Sequence, residues 1–192
     1  MGVDLTAKDV VKYYKGSEQL IIYLKSESGK AIVGGTIQIK LNGKKFEILT
    51  DSSGKAALDL NLPSGNYVAL ILFNETDRYR SASTNASINI SKTVEGIDVI
   101  KLYGIGTQYF AIFCDSNGKA LGNTKVTFKI GSNKVTTTTL PNGISRLNIN
   151  FKVGSYTIEA KNPVTGEKAF NKIIIFKRLA GNKGFSQYYG AN

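Results

Sequence analysis

An all-β chain folding as two β-sandwiches in tandem is predicted by three features of the sequence. Apolar residues alternate with polar ones over short runs, those runs are bounded by Gly, Asn, Ser or Asp, and the whole pattern is written twice. The 192 residues suit one large domain or two small ones, and the repeat favours two. Hydrophobic residues at 42%, charged residues at 20%, and 20 glycines against 3 prolines indicate a globular chain rich in turns.

In the first copy the segments "KDVVKYY", "EQLIIYLKS", "GTIQIKLN", "KKFEILTD", "KAALDLNL", "NYVALILF" and "NASINIS" read as strands, each rich in Ile, Val, Leu, Tyr or Phe. No segment carries a 3.6-residue period. In "TIQIKLNGKKFEILT" the residues Ile37, Ile39 and Leu41 alternate with Gln38 and Lys40; Asn-Gly then turns the chain, and Phe46 and Ile48 resume the alternation. This is a hairpin with one wet and one dry face. The second copy keeps the dry positions as Val126, Phe128 and Ile130. Ala86, Ile88 and Ile90 define the dry face of the last strand in the same way, so Asn85 points outward.

An offset of 89 residues aligns positions 9–68 with 98–157 without a gap, and 16 of the 60 pairs are identical. Asp9, Val10, Lys12 and Tyr14 recur as Asp98, Val99, Lys101 and Tyr103; Gly54, Gly65 and Tyr67 recur as Gly143, Gly154 and Tyr156. Beyond this stretch the second copy reads three residues shorter, with "SINISK" at 87–92 matching "IIIFKR" at 173–178, and "QYYG" at 187–190 falls on "KLYG" at 101–104. The expected division is therefore 1–93 and 94–180 for two modules, with 181–192 the start of a third repeat or a tail. About seven short strands per unit is the pattern of an immunoglobulin-like sandwich. Gly54, Gly65, Gly143 and Gly154 are expected at structural turns, and Tyr67 and Tyr156 as tyrosine corners, laying their rings on the core edge and returning the hydroxyl to nearby backbone.

The residues that are missing exclude several chemistries. There is no histidine, which removes the usual general base and the commonest metal ligand, and the single Cys114 permits no intrachain disulfide. No catalytic residue, metal or cofactor is expected. Twenty-five Lys and Arg against 14 acids give a net charge of +11, which attracts polyanions without conferring specificity. The lysines lie scattered along the strands and no nucleic-acid-binding signature occurs, so no nucleic-acid partner is expected. The opening "MGVDLTAKDVVKYY" lacks a signal-peptide core, and apolar runs such as Leu20 to Leu24 fall far short of a membrane span. A soluble chain with no membrane partner is expected, with any leader or anchor belonging to a larger parent.

The stretches "DSSGKAALDLNLPSGNYVALI" and "LPNGISRLNINFKVGSYTIEAKNPVTGEKAFNKIIIF" resemble the Ig-like repeats of adhesin-like surface proteins of methanogenic archaea, related to bacterial adhesin and Cna-B-type stalk modules. The resemblance covers both copies almost from end to end. It implies an extracellular, cell-surface array that projects a tip or makes weak multivalent contacts with anionic glycans, other surface proteins or neighbouring repeats. Cna-B-type modules often carry a Lys–Asn isopeptide bond; the pairs on offer are Lys12 with Asn85 and Lys101 with Asn171, with Asp9 and Asp98 as acids. The outward direction of Asn85 argues against the crosslink.

The first copy inserts "FNETDRYRSAS" at 73–83 where the second has "NPVTGEKA", so Arg78, Tyr79 and Arg80 form a candidate ligand loop, Arg and Tyr being residues that concentrate binding energy. The alternative is that Tyr79 packs over the end of the sandwich and the arginines are solvated. Asn74, Asn85 and Asn89 lie in N-glycosylation sequons. Cys114 reads as passive and Asp51 as a turn former. The connection "SKTVEGIDV" is short, and Val94 and Ile97 are expected to be buried at the junction of a stiff rod. The functional expectation is a non-catalytic stalk or spacer; the rivals are a carbohydrate- or polyanion-binding module and the accessory domains of a large extracellular hydrolase.

Overall fold

The computed structural model describes residues 1–178, and all of its regular structure is β. Eight strands make the first module: β1 (Val3–Ala7), β2 (Val10–Tyr13), β3 (Gln19–Ser26), β4 (Thr36–Leu41), β5 (Lys44–Leu49), β6 (Lys55–Asp59), β7 (Gly65–Phe73) and β8 (Ala82–Ser91). Eight more make the second: β9 (Val94–Gly96), β10 (Val99–Leu102), β11 (Gln108–Phe113), β12 (Lys125–Ile130), β13 (Asn133–Thr138), β14 (Ile144–Asn148), β15 (Gly154–Lys161) and β16 (Lys168–Phe176). Each module packs a three-stranded sheet, β1-β3-β6 or β9-β11-β14, against a five-stranded sheet, β2-β8-β7-β4-β5 or β10-β16-β15-β12-β13. The chain is thus a tandem pair of β-sandwiches with immunoglobulin-like layering.

Each sandwich opens with two strands rather than one. β1 and β9 pair antiparallel with β3 and β11, after which the chain crosses to the other sheet, where β2 and β10 run parallel to β8 and β16. Ile97 lies in that crossing and is 62% exposed, contrary to the sequence expectation, whereas Val94 is buried at 1%. The sheets face each other through alternating side chains: Ile37, Ile39, Leu41, Ala86, Ile88 and Ile90 line one core, and Val126, Phe128 and Ile130 part of the other.

Pairing also corrects the repeat offset near the C-terminal end. Val10 pairs with Ile88 and its counterpart Val99 with Ile173. Ile88 and Ile173 are therefore equivalent, an offset of 85 rather than 86, and the second copy is four residues shorter. A slip of one residue would turn every side chain of the strand to the wrong face. The segment 181–192, with "QYYG", lies outside the described residues.

Candidate functional site

The repeated glycines occupy backbone that side chains avoid. Gly65 and Gly154 have φ of 152° and 155°, and each opens a strand whose next residue but one is the repeated tyrosine. The Tyr67 hydroxyl donates to the Pro63 carbonyl at 2.9 Å, and that of Tyr156 to Lys152 at 3.1 Å. Gly54 and Gly143, with φ of 75° and 80°, lie against the carbonyls of Leu24 and Phe113, where a Cβ would collide.

The loop carrying Arg78, Tyr79 and Arg80 joins β7 to β8 and is internally bonded. The Thr76 amide donates to the Tyr79 carbonyl at 2.8 Å, and the Tyr79 amide donates to the Thr76 hydroxyl at 3.0 Å. The half-buried Tyr79 ring packs on the first core, the Arg78 guanidinium stands 5.6 Å from its centroid, and Arg80 is exposed, its amide bonded to the Met1 carbonyl. A cleft of about 430 Å³ runs beside this loop between Gly34, Phe73, Asn74, Thr76, Arg78 and Tyr79. Asn74, Asn85 and Asn89 all face outward, and the Asn89 amide donates to the Asn66 side-chain oxygen at 2.9 Å.

The equivalent loop of the second module has a different task. Residues 162–167 grip the connection between the modules at Thr93, which is 1% exposed. The Thr93 amide and hydroxyl donate to one oxygen of Glu167 at 2.6 and 2.7 Å, its hydroxyl also meets that of Thr165 at 2.7 Å, and Asn162 donates to its carbonyl at 2.7 Å. Asn162, fully buried, also donates to the Cys114 carbonyl at 2.8 Å. On the other side of the junction the ring of Tyr13, from the first module, lies against Gly118 of the second. A cleft of about 480 Å³ remains between them, bordered by Tyr13, Lys92, Thr93, Cys114 and Gly118.

The crosslink pairs are engaged elsewhere. Lys12 is buried, with Nζ donating to the carbonyls of Glu18 and Leu60 at 3.3 Å each, and Lys101 donates to that of Ile149 at 2.7 Å. Leu60 and Ile149 are themselves equivalent positions, so each module ties its two sheets together with a lysine ammonium on a backbone carbonyl. Asn171 donates to the Gly96 carbonyl and to Asp98, and Asn85 is exposed. The Cys114 thiol is pushed up by burial, with the Asp115 and Glu167 charges adding to the effect, which disfavours a thiolate. Asp51 accepts from the Ser53 hydroxyl and from the Ser53 and Lys55 amides, and these bonds hold its carboxyl below the usual range.

No protein-family model matches the chain, and no curated protein does. Among solved structures, a Ca2+-stabilized ice-binding adhesin of an Antarctic bacterium is similar over 93% of this chain and 49% of its own, at 12% identity and a TM-score of 0.31. The chain thus spans about half of that adhesin chain. The fibronectin(III)-like modules of Clostridium thermocellum CbhA match over 91% of this chain and 94% of theirs, at 13% identity and a TM-score of 0.33. The titin domains z1z2, solved with telethonin, match over 92% and 98%, at 11% identity and a TM-score of 0.34.

Proposed function

We propose that the chain is a non-catalytic, stiff tandem segment of an extracellular adhesin-like surface protein, spacing whatever lies on either side of it. The observation that carries this reading is the lack of slack at the junction: β8 ends at Ser91, β9 begins at Val94, and Thr93 between them is hydrogen-bonded to Glu167, Thr165 and Asn162. A flexible connection needs several residues free of such bonds. Modules of 1–93 and 94–180 are supported by the two separate hydrophobic cores. An array of this kind works by multiplying weak contacts along its length, with neighbouring repeats as the first partners and cell-surface glycans as further ones. The loop of Arg78 and Arg80 lies at the pole that, in the second module, receives its neighbour, which favours a junction role for it over a ligand tip.

Distances between spin labels on the hairpin tips at Asn42 and Ser132 test the proposal against a variant with a Gly-Ser insertion between Lys92 and Thr93. The native chain is expected to give a narrow distribution and the insertion a broad one. Equally broad distributions would end the spacer reading.

A further inference from the structure

The outward face of the second module's five-stranded sheet carries charge that folding does not require. Cross-strand register sets Lys129 directly opposite Lys134 and Lys161 directly opposite Lys168. Like charges so placed repel and lower the stability of a sheet. Lys125 and Lys172 extend the same face on rungs shared with Thr138 and Thr157. Glu159 on this face is taken by a 3.0 Å ion pair with Lys168, and Asp98 lies beside Lys172 at its margin, which leaves Lys125, Lys129, Lys134 and Lys161 without an ion pair among the described residues. Thr127 stands between Thr136 and Lys161, and Phe170, 61% exposed, stands opposite Glu159. A cleft of about 450 Å³ crosses the face over Thr127, Lys129, Lys134, Thr136, Lys161 and Lys168.

The first module serves as an internal reference. Its equivalent rungs set Lys40 opposite Lys45 and Gln38 opposite Glu47, with Leu70, Leu72 and Ser83 where the second module has Glu159, Lys161 and Lys168. Protection of a sheet edge explains Lys45 and Lys134, which lie on the edge strands β5 and β13. It does not explain Lys161 and Lys168, which lie inside the sheet.

We propose that this face binds a carboxylated polysaccharide, a polyuronate lying across β12, β13, β15 and β16. Ammonium groups on long stems reach carboxylates repeated along a polymer. The threonine hydroxyls meet sugar hydroxyls, and the Phe170 ring offers an apolar surface to a sugar ring. Single-stranded nucleic acid is the poorer fit, because platforms for it present successive aromatics, whereas the two exposed rings of this face, Phe170 and Phe176, stand six residues apart on one strand. The site rests on the reading of cell-surface glycans as partners and names their chemistry, while the stiffness of the junction is tested separately by the spin-label distances.

Titration of the full chain with polygalacturonate near physiological salt, about 0.15 M, provides the test. The double variant Lys129→Gln/Lys161→Gln is compared with Lys40→Gln/Lys45→Gln, which removes the same charge from the other module. The first pair is expected to weaken binding roughly tenfold and the second less than about twofold. Because the first pair relieves repulsion, its melting temperature is expected to equal or exceed that of the native chain, so lost binding is not lost folding. Equal weakening by both pairs would reduce the effect to net charge. Absence of binding by the native chain, or tighter binding of a single-stranded oligonucleotide than of polygalacturonate, would also overturn the proposal.

Discussion

The hydroxyl of Tyr109 donates to the side-chain oxygen of Asn171 at 2.8 Å inside the second sandwich. The same two positions of the first sandwich hold Leu20 and Ala86, an apolar pair. A buried tyrosine requires a partner for its hydroxyl, so the exchange of leucine for tyrosine goes with that of alanine for asparagine. Gly96 completes the set: a Cβ there would strike the Tyr109 hydroxyl, and the first module has Ala7 at that place. Space for the larger rings comes from Ala111 and Ala160, which replace Ile22 and Ile71. Tyr109 then packs edge-on against Phe128 with centroids 5.5 Å apart.

Burial, helped by the charge of Asp98, pushes the Tyr109 hydroxyl from 10.0 up to about 12. Its folded value lies above its unfolded one, so its contribution to stability is complete below pH 10.0 and is lost as pH rises toward about 12. Tyr109→Phe is expected to cost about 1 kcal/mol at neutral pH and to flatten the alkaline loss. Urea unfolding of both proteins at neutral and alkaline pH measures this; parallel losses would show that Tyr109 titrates like an exposed tyrosine.

Alternation made the cores legible in the sequence, because Ile37, Ile39 and Leu41 or Val126, Phe128 and Ile130 can be buried together only on one face of a strand. The offset near the C-terminus was not legible. Ile173, Ile174, Ile175 and Phe176 form an unbroken apolar run, and only pairing with β15 decides which of them point inward. The split opening strands escaped for a related reason, since "VDLTAKDVVKYY" does not mark where the chain changes sheets. The lysine face is scattered along the sequence and is assembled by four strands, so cross-strand register was needed to gather it.

The bond from Lys12 to the Leu60 carbonyl spans the two sheets of the first module. Lys12→Met keeps most of the stem but leaves two buried or half-buried carbonyls without their donor, at a cost of about 1–3 kcal/mol. Denaturant unfolding is expected to show this loss, and the intact mass of the native chain to be that of unmodified sequence. A mass lower by one ammonia per module would mean that the lysines are crosslinked instead.

Asp98 accepts the amide of Lys172 at 2.9 Å and the side-chain amide of Asn171 at 3.2 Å. These bonds, in that order, hold its carboxyl below 3.8. A depressed folded value means that the contribution is present above 3.8 and is lost as pH falls through the folded value. Thermal melting in acid is expected to fall less steeply for Asp98→Asn than for the native chain. Identical acid profiles would count against the carboxylate as the pin between β10 and β16.

Gly29 and Gly118 occupy the same turn of the two modules, each with φ of 80°. Around Gly29 a Cβ would find open space, while on Gly118 it would run into the ring of Tyr13. Alanine in this left-handed conformation costs about 1–2 kcal/mol at either site. Gly118→Ala additionally has to displace Tyr13 from the junction, so it is expected to destabilise the chain more than Gly29→Ala does. In a Tyr13→Ala background that excess is expected to vanish, leaving the two glycine substitutions equal. Equal costs already in the native background would mean that the Tyr13 contact contributes nothing to joining the modules.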